Sequence, residues 1–164
     1  MAIRTAQDLF LNELRDIYHA EKQILRALPK MARRASHPEL RQALEQHVEE
    51  TRGQLERIEQ VFEMVEVGKR AKRCEAMEGL LEEARGHMEE IEDERLLDPA
   101  MIICQQKVEH YEIAGYGSLV ALAKQLGRDE AAQLLTQTLE EEKATDQKLT
   151  ELALTVANKD AQGG

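Results

Sequence analysis

Apolar residues recur along most of this chain at alternating steps of three and four, the spacing of one face of an α-helix. Phe10, Leu14, Ile17, Ile24, Leu28 and Met31 predict a first helix from about Thr5 to Ala35, and the same stripe passes through position 21, which is Glu21. Ser36 and Glu39 have the spacing of a capping box with Pro38 in the first turn. They predict a second helix reaching about Val67, with Leu44, Val48, Thr51, Leu55, Ile58, Phe62 and Val65 inward. After VGKRAKRC, a shorter helix places Met77, Leu80, Leu81, Ala84, Met88 and Ile91 on one narrow face, which can cover a bundle without crossing it. In LLDPAM, Asp98 as N-cap and Pro99 as first helical residue open another long helix that Gly127 closes. A last helix runs from near Asp129 to about Asn158, with Ala131, Leu135, Thr138, Leu149, Leu152 and Val156 inward, Glu142 in the gap of the stripe, and a tail, KDAQGG, expected to fray.

Short turns join the first two long helices and the last two, so each pair is an antiparallel hairpin. The connection between the hairpins is long enough to travel the length of the bundle, which makes the second and third long helices parallel. The predicted class is all-α, a four-helix bundle with one long crossover carrying a fifth short helix, as one domain over residues 1–160. Composition agrees: 164 residues with 42% apolar content can bury a core, and three prolines, nine glycines and no tryptophan suit helices.

Charge narrows the partners. With 22 basic and 32 acidic residues the net charge is −10, which opposes binding to nucleic acid or to anionic membranes. The one basic run, KRAKR at 69–73, reads as a solvated connection. Cys74 and Cys104 lack metal spacing and fit reduced thiols, and no apolar segment is long enough for export or for spanning a membrane. A cytoplasmic protein is expected.

The candidate chemistry lies on the inward stripes. Glu21 precedes Ala35 by 14 residues and Glu50 follows Ser36 by 14, so both stand about 21 Å from that turn. In the other hairpin Glu112 precedes Leu126 by 14 and Glu142 follows Asp129 by 13, about 20 Å from theirs. Glu109 lies one turn from Glu112 in KVEHYEIAGYG, and His47 one turn from Glu50. Carboxylates gathered at one depth repel each other unless cations neutralise them. Oxygen-rich ligation suits a dinuclear iron or manganese site, with ions about 3.5 to 4 Å apart, better than calcium or magnesium. The bland alternative is a set of solvated or salt-bridged glutamates, with His47 a hydrogen-bonded interior histidine. His19, His37, His87 and His110 read as surface or capping residues, and Tyr18 and Tyr116 as packing residues, although a phenol near paired metals can serve as a hydrogen-bonding neighbour.

The stretches LRDIYHAEKQIL, HVEETRGQLERIEQVF, VEHYEIAGYGSL and LEEEKATDQKL, in that order around the crossover, resemble the YciF type of bacterial ferritin-like stress proteins over about residues 7–154. That group is related in fold to rubrerythrins, bacterioferritins and manganese catalases. The resemblance implies a ferritin-like bundle, commonly a homodimer, linked to stress and of undetermined activity. It places Glu21, Glu50, Glu109 or Glu112, and Glu142 as metal-binding glutamates, Glu50 and Glu142 bridging and Glu21, Glu109 and Glu112 terminal. Where the wider group has Glu-x-x-His, this chain has Gly53 after Glu50 and Thr145 after Glu142; His47 and Asp146, a turn away, are within helical reach as replacements. The expected chemistry is redox handling of oxygen or peroxide by bound iron or manganese, with catalytic residues unassigned. The rival is a non-catalytic helical dimer acting as an interaction or structural stress protein; a storage cage is a third reading.

Overall fold

A computed structural model describes residues 2–157, without the side chains of the last two. The five helices are α1 (Ala6–Arg34), α2 (Pro38–Met64), α3 (Glu75–Glu90), α4 (Leu97–Gln125) and α5 (Asp129–Leu152). A 3₁₀ turn, Glu94–Leu96, leads into α4, and a π-helical turn, Ala153–Ala157, continues α5. The hairpins α1–α2 and α4–α5 pack through α2 on α5 and α1 on α4, closing a ring of four, while α3 lies outside against α4 and α1. This is the all-α bundle with one long crossover and a fifth short helix that the apolar periodicity predicts. The expected helix end at Asn158, the inward placement of Val156 and the fraying of KDAQGG fall outside the described residues or side chains.

The predicted stripes become the core. Phe10, Leu14, Ile17, Ile24 and Leu28 of α1 are buried, as are Leu44, Ile58 and Phe62 of α2 and Ala131, Leu135 and Leu149 of α5. Tyr18 stands edge-on to Phe62 with ring centroids 5.3 Å apart, its hydroxyl donates to Glu59 at 2.8 Å, and Lys22 Nζ sits 3.8 Å over its ring. Tyr18 thus ties α1 to α2 by apolar and hydrogen-bonded contacts, while the cation–π contact with Lys22 lies within α1. Between α1 and α4 the approach is close: a Cβ added to Gly115 would stand 3.0 Å from Ile17 Cδ1. Glycine lets the two backbones come together near the middle of the bundle.

Two helix ends differ from the expectation. The capping box proposed for Ser36 and Glu39 does not form; His37 is the N-cap of α2 and its Nδ1 accepts from the Glu39 N–H at 3.3 Å. Asp98 does not cap its own helix, because α4 begins at Leu97. Its buried carboxylate accepts instead the N–H groups of Ser36 at 2.9 Å and His37 at 2.7 Å. A negative charge at the N-terminus of α2 complements the helix dipole and satisfies donors that would otherwise lack partners. This contact also places the start of α4 beside the α1–α2 turn, so α2 and α4 run parallel. Helix α2 stops before Val67 because Glu66 adopts φ 56, with Val67 N–H donating to Phe62 O at 3.1 Å and Glu66 N–H to Glu63 O at 3.0 Å. The same arrangement ends α4 as predicted at Gly127, φ 68, with Arg128 N–H donating to Ala123 O at 2.9 Å.

The crossover is fastened to α1 and α4. Lys72 N–H donates to Arg15 O at 3.0 Å and Cys74 N–H to His19 Nδ1 at 3.0 Å, so His19 anchors the chain entering α3. Buried Cys74 Sγ lies 3.0 Å from the Tyr111 hydroxyl, which donates to Asp16 at 2.5 Å. Residues 69–73, the basic run, are exposed.

Replacing Asp98 by Ala leaves two N–H groups at the α2 terminus without their partner. We expect a loss of about 2 kcal/mol in urea unfolding; a change below about 0.5 kcal/mol, the ordinary surface range, would show that the cross-helix cap contributes little.

Candidate metal centre

Helix α4 packs against α1, α3 and α5 and leaves one exposed stripe along Ile103, Lys107, His110, Ala114 and Ser118. Glu109 and Glu112, on the face turned into the ring, have no exposure. Glu21 from α1 and Glu142 from α5 are equally buried, and His47 from α2 is 1% exposed. Each of the four ring helices thus delivers at least one ionisable side chain to a single dry layer.

Ligand atoms of His47, Glu109, Glu112 and Glu142 all lie within 4.8 Å of one another. His47 Nε2 is 3.1 Å from Glu109 Oε1 and 4.0 Å from Glu142 Oε2, in ionic contacts not aligned as hydrogen bonds. Glu21 joins from the other side, accepting from the Tyr116 hydroxyl and lying beside Glu112. Glu50 stands at the rim, its side chain 27% exposed, 3.3 Å from His47 Nδ1 and accepting from Gln46 at 2.8 Å and Thr145 at 3.4 Å. Asp146 is turned away to His110 at 3.2 Å and Gln106 at 3.1 Å. Of the seven residues singled out in the sequence, the structure therefore gathers Glu21, His47, Glu109, Glu112 and Glu142, keeps Glu50 at the edge, and leaves Asp146 outside.

Burial and mutual repulsion set the charges. Burial lifts Glu21 to a pKa of about 7 against the donor hydrogen of Tyr116. Glu112 and Glu142 are held well above the ordinary carboxylate range, by burial first and then by neighbouring acids. Glu109 stays low although buried, because the charge of His47 and the amide of Gln105 at 2.6 Å favour its anion. Burial opposes a charge on His47, but the negative charge and contacts of Glu109 and Glu50 raise its pKa to about 10. Tyr116 is likewise kept protonated by burial and by Glu21.

Two amides were not foreseen. Gln54, fully buried, donates to Glu142, and Gln105, 2% exposed, to Glu109. The expected line Leu44, Val48, Thr51, Ile58 and Phe62 of α2 is buried, with Leu55 only partly so, and the buried face widens to take in His47 and Gln54. Glu50, on the far side of that widened face, stays at the rim. A glutamine four residues past Glu50 and another four before Glu109 is the available signal, since i,i+4 residues share a helix face.

The donor set fits a cation. Both oxygens of Glu112, one each of Glu21, Glu109 and Glu142, and His47 Nε2 are buried without hydrogen-bond partners, which is costly unless protons or a metal complete them. Hard carboxylate oxygens with a single imidazole can hold a metal ion; His47, Glu109, Glu112 and Glu142 are the residues placed to do so. An opening of about 80 Å³, lined by Leu44, His47, Glu50, Thr145 and Leu149 among others, reaches this layer between α2 and α5.

A helical bundle of this topology with acids and a histidine meeting at its middle is a ferritin-like protein with a candidate metal site. The chain belongs to the family described as a domain of unknown function, DUF892, which it matches over residues 5–162. It is 54% identical to protein YciF of Escherichia coli strain K12 over 164 residues, covering 99% of this chain and 98% of that one. The crystal structure of the E. coli stress protein YciF superposes with a TM-score of 0.90 at 50% identity, over 99% of this chain and 100% of the other. YcfI of Rhodopseudomonas palustris, described as a candidate structural protein, gives a TM-score of 0.89 at 47% identity, over 90% and 94% of the two chains. A protein of Xanthomonas campestris pv. campestris gives 0.77 at 26% identity, over 96% and 97%.

An ionisable group whose pKa is higher folded than unfolded carries extra proton in the folded state between the two values, so stability falls as pH rises through that window. Glu21 acts between about 4.5 and about 7, His47 between about 6.5 and about 10. Glu50 and Glu109, with lowered pKa, act the other way, losing their contribution as pH falls below about 4.5. Metal-free protein should therefore lose stability in urea as pH rises from about 5 to about 8. Glu21→Gln should flatten the acidic half of that slope; an unchanged slope would mean that Glu21 is already ionised there.

Proposed function

We propose that this protein binds iron or manganese, as a pair of ions, in the carboxylate layer, and that it handles oxygen or peroxide under stress. The observation that carries the reading is the set of unpartnered acid oxygens facing His47 Nε2 in a dry layer. When bound, such ions supply the redox equivalents for reducing oxygen or peroxide. The chain's own residues do the rest. His47, Glu109, Glu112 and Glu142 would hold the positive charge, with Glu21 as a further carboxylate beside them and Glu50 at the solvent side of His47. Gln105 and Gln54 orient Glu109 and Glu142, and Tyr116 orients Glu21. Apolar packing above and below the layer keeps water out. A homodimeric assembly and a cytoplasmic location belong to the same proposal; among the described residues no helix is long and apolar enough to cross a membrane.

A second reading has its own support. The ionic contact of His47 with Glu109, together with protons on the raised acids, neutralises much of the layer without any metal. On that reading the bundle is a structural or interaction protein, and the buried acids are tolerated.

Reconstitution separates the two. With Mn(II) or anaerobic Fe(II) at a hundred times Kd, a metal protein gains about 2.7 kcal/mol of stability, and metal analysis finds the ion retained. Glu112→Ala and Glu142→Ala should abolish this gain while making the metal-free form equally or more stable, because repulsion is relieved. No retained metal and no gain in the wild type would sink the proposal and favour the structural reading.

A further inference from the structure

Away from the carboxylate layer, α1 and α3 border a groove of about 480 Å³, within the range of about 300 to 1,000 Å³ usual for small-molecule sites. Met31, Leu81, Ala84, Met88 and Met101 form its apolar part, and its charged lining residues are Arg26, Lys30, Arg34 and Arg85. No acid lines it, although acids outnumber bases by 32 to 22 in the chain. Arg26, Lys30 and Arg34 follow one another at four-residue steps and so form a row along one side of α1. Arg85 faces them from α3. It is already engaged by Glu82 at 2.5 Å and Glu89 at 4.0 Å, and Arg34 donates to Met88 O at 3.1 Å. Arg26 and Lys30 have no ion-pair partner among the described residues, and both are exposed.

We propose that this groove binds a single-chain anionic amphiphile, of the fatty-acid class, with its carboxylate at Arg26 and Lys30 and its chain along the methionines. Charge complementarity selects the anion: two uncompensated cations at the lip of an apolar slot, in a protein that is otherwise strongly acidic, disfavour cationic and neutral chains alike. Methionine selects the chain loosely, since its flexible thioether packs against alkyl groups of varied length. The site is separate from the metal layer, so it stands or falls independently of the proposed redox role.

The test is calorimetric titration of the full chain with laurate, below its micellar concentration, against dodecanol and dodecyltrimethylammonium. Laurate should bind one to one, and at least about tenfold more tightly than either, as expected for two exposed ion pairs. The double variant Arg26→Glu, Lys30→Glu should weaken laurate about tenfold or more on the same grounds, and Ala27→Phe, which fills the slot, should abolish binding. Equal affinity for dodecanol, or binding unaffected by either variant, would overturn the proposal. So would sedimentation showing a dimer that Ala27→Phe dissociates with no laurate bound, because a second copy would then be the occupant.

Discussion

The bundle is organised around a layer in which four glutamates, Glu21, Glu109, Glu112 and Glu142, are removed completely from water. Four bare anions in so small a space could not coexist, since each would lose its hydration and gain the repulsion of the others. Positive charge must be brought in, as protons, as the imidazolium of His47, or as metal. Three side chains beside the layer reflect that demand: Tyr116, Gln54 and Gln105 each direct a donor at an acid oxygen, and none of the three could be apolar without leaving another lone pair unmet.

The surrounding helices make the layer rigid. Gly115 lets α4 approach Ile17 of α1, Tyr18 locks α1 to α2, and Arg57 pairs with Glu141 at 2.5 Å while donating to Thr138 at 3.0 Å, joining α2 to α5. Asp98 couples the two hairpins at one end, and the crossover clasps α1 and α4 from outside. Movement of any one helix would therefore displace a ligand atom relative to the other three. The opening near Thr145 has the opposite character, small and bordered by the partly exposed Glu50.

Helices, their order and the long crossover were legible in the sequence because amphipathic periodicity is a local record of which face is buried. Glu21, Glu109, Glu112 and Glu142 were visible for the same reason, each interrupting a stripe that is otherwise apolar or small. Equal distances from the turns put Glu21, Glu112 and Glu142 at one depth, with Glu109 one turn away, because helical rise is constant. What spacing cannot resolve is rotation of a helix about its own axis by a fraction of a residue. In α2 the edge of the buried face takes in His47 and Gln54 and leaves Glu50 at the rim.

Local sequence thus determined the secondary structure and the level of the acids, which depend on residue spacing alone. Tertiary packing decided which side chains meet: the pairing of Asp98 with α2 rather than with its own helix, the turning of Asp146 toward His110, and the donors Gln54 and Gln105 beneath the acids. These contacts join residues tens of positions apart or depend on how one helix is rotated against another, and such rotation is fixed only when all four helices close on a common core.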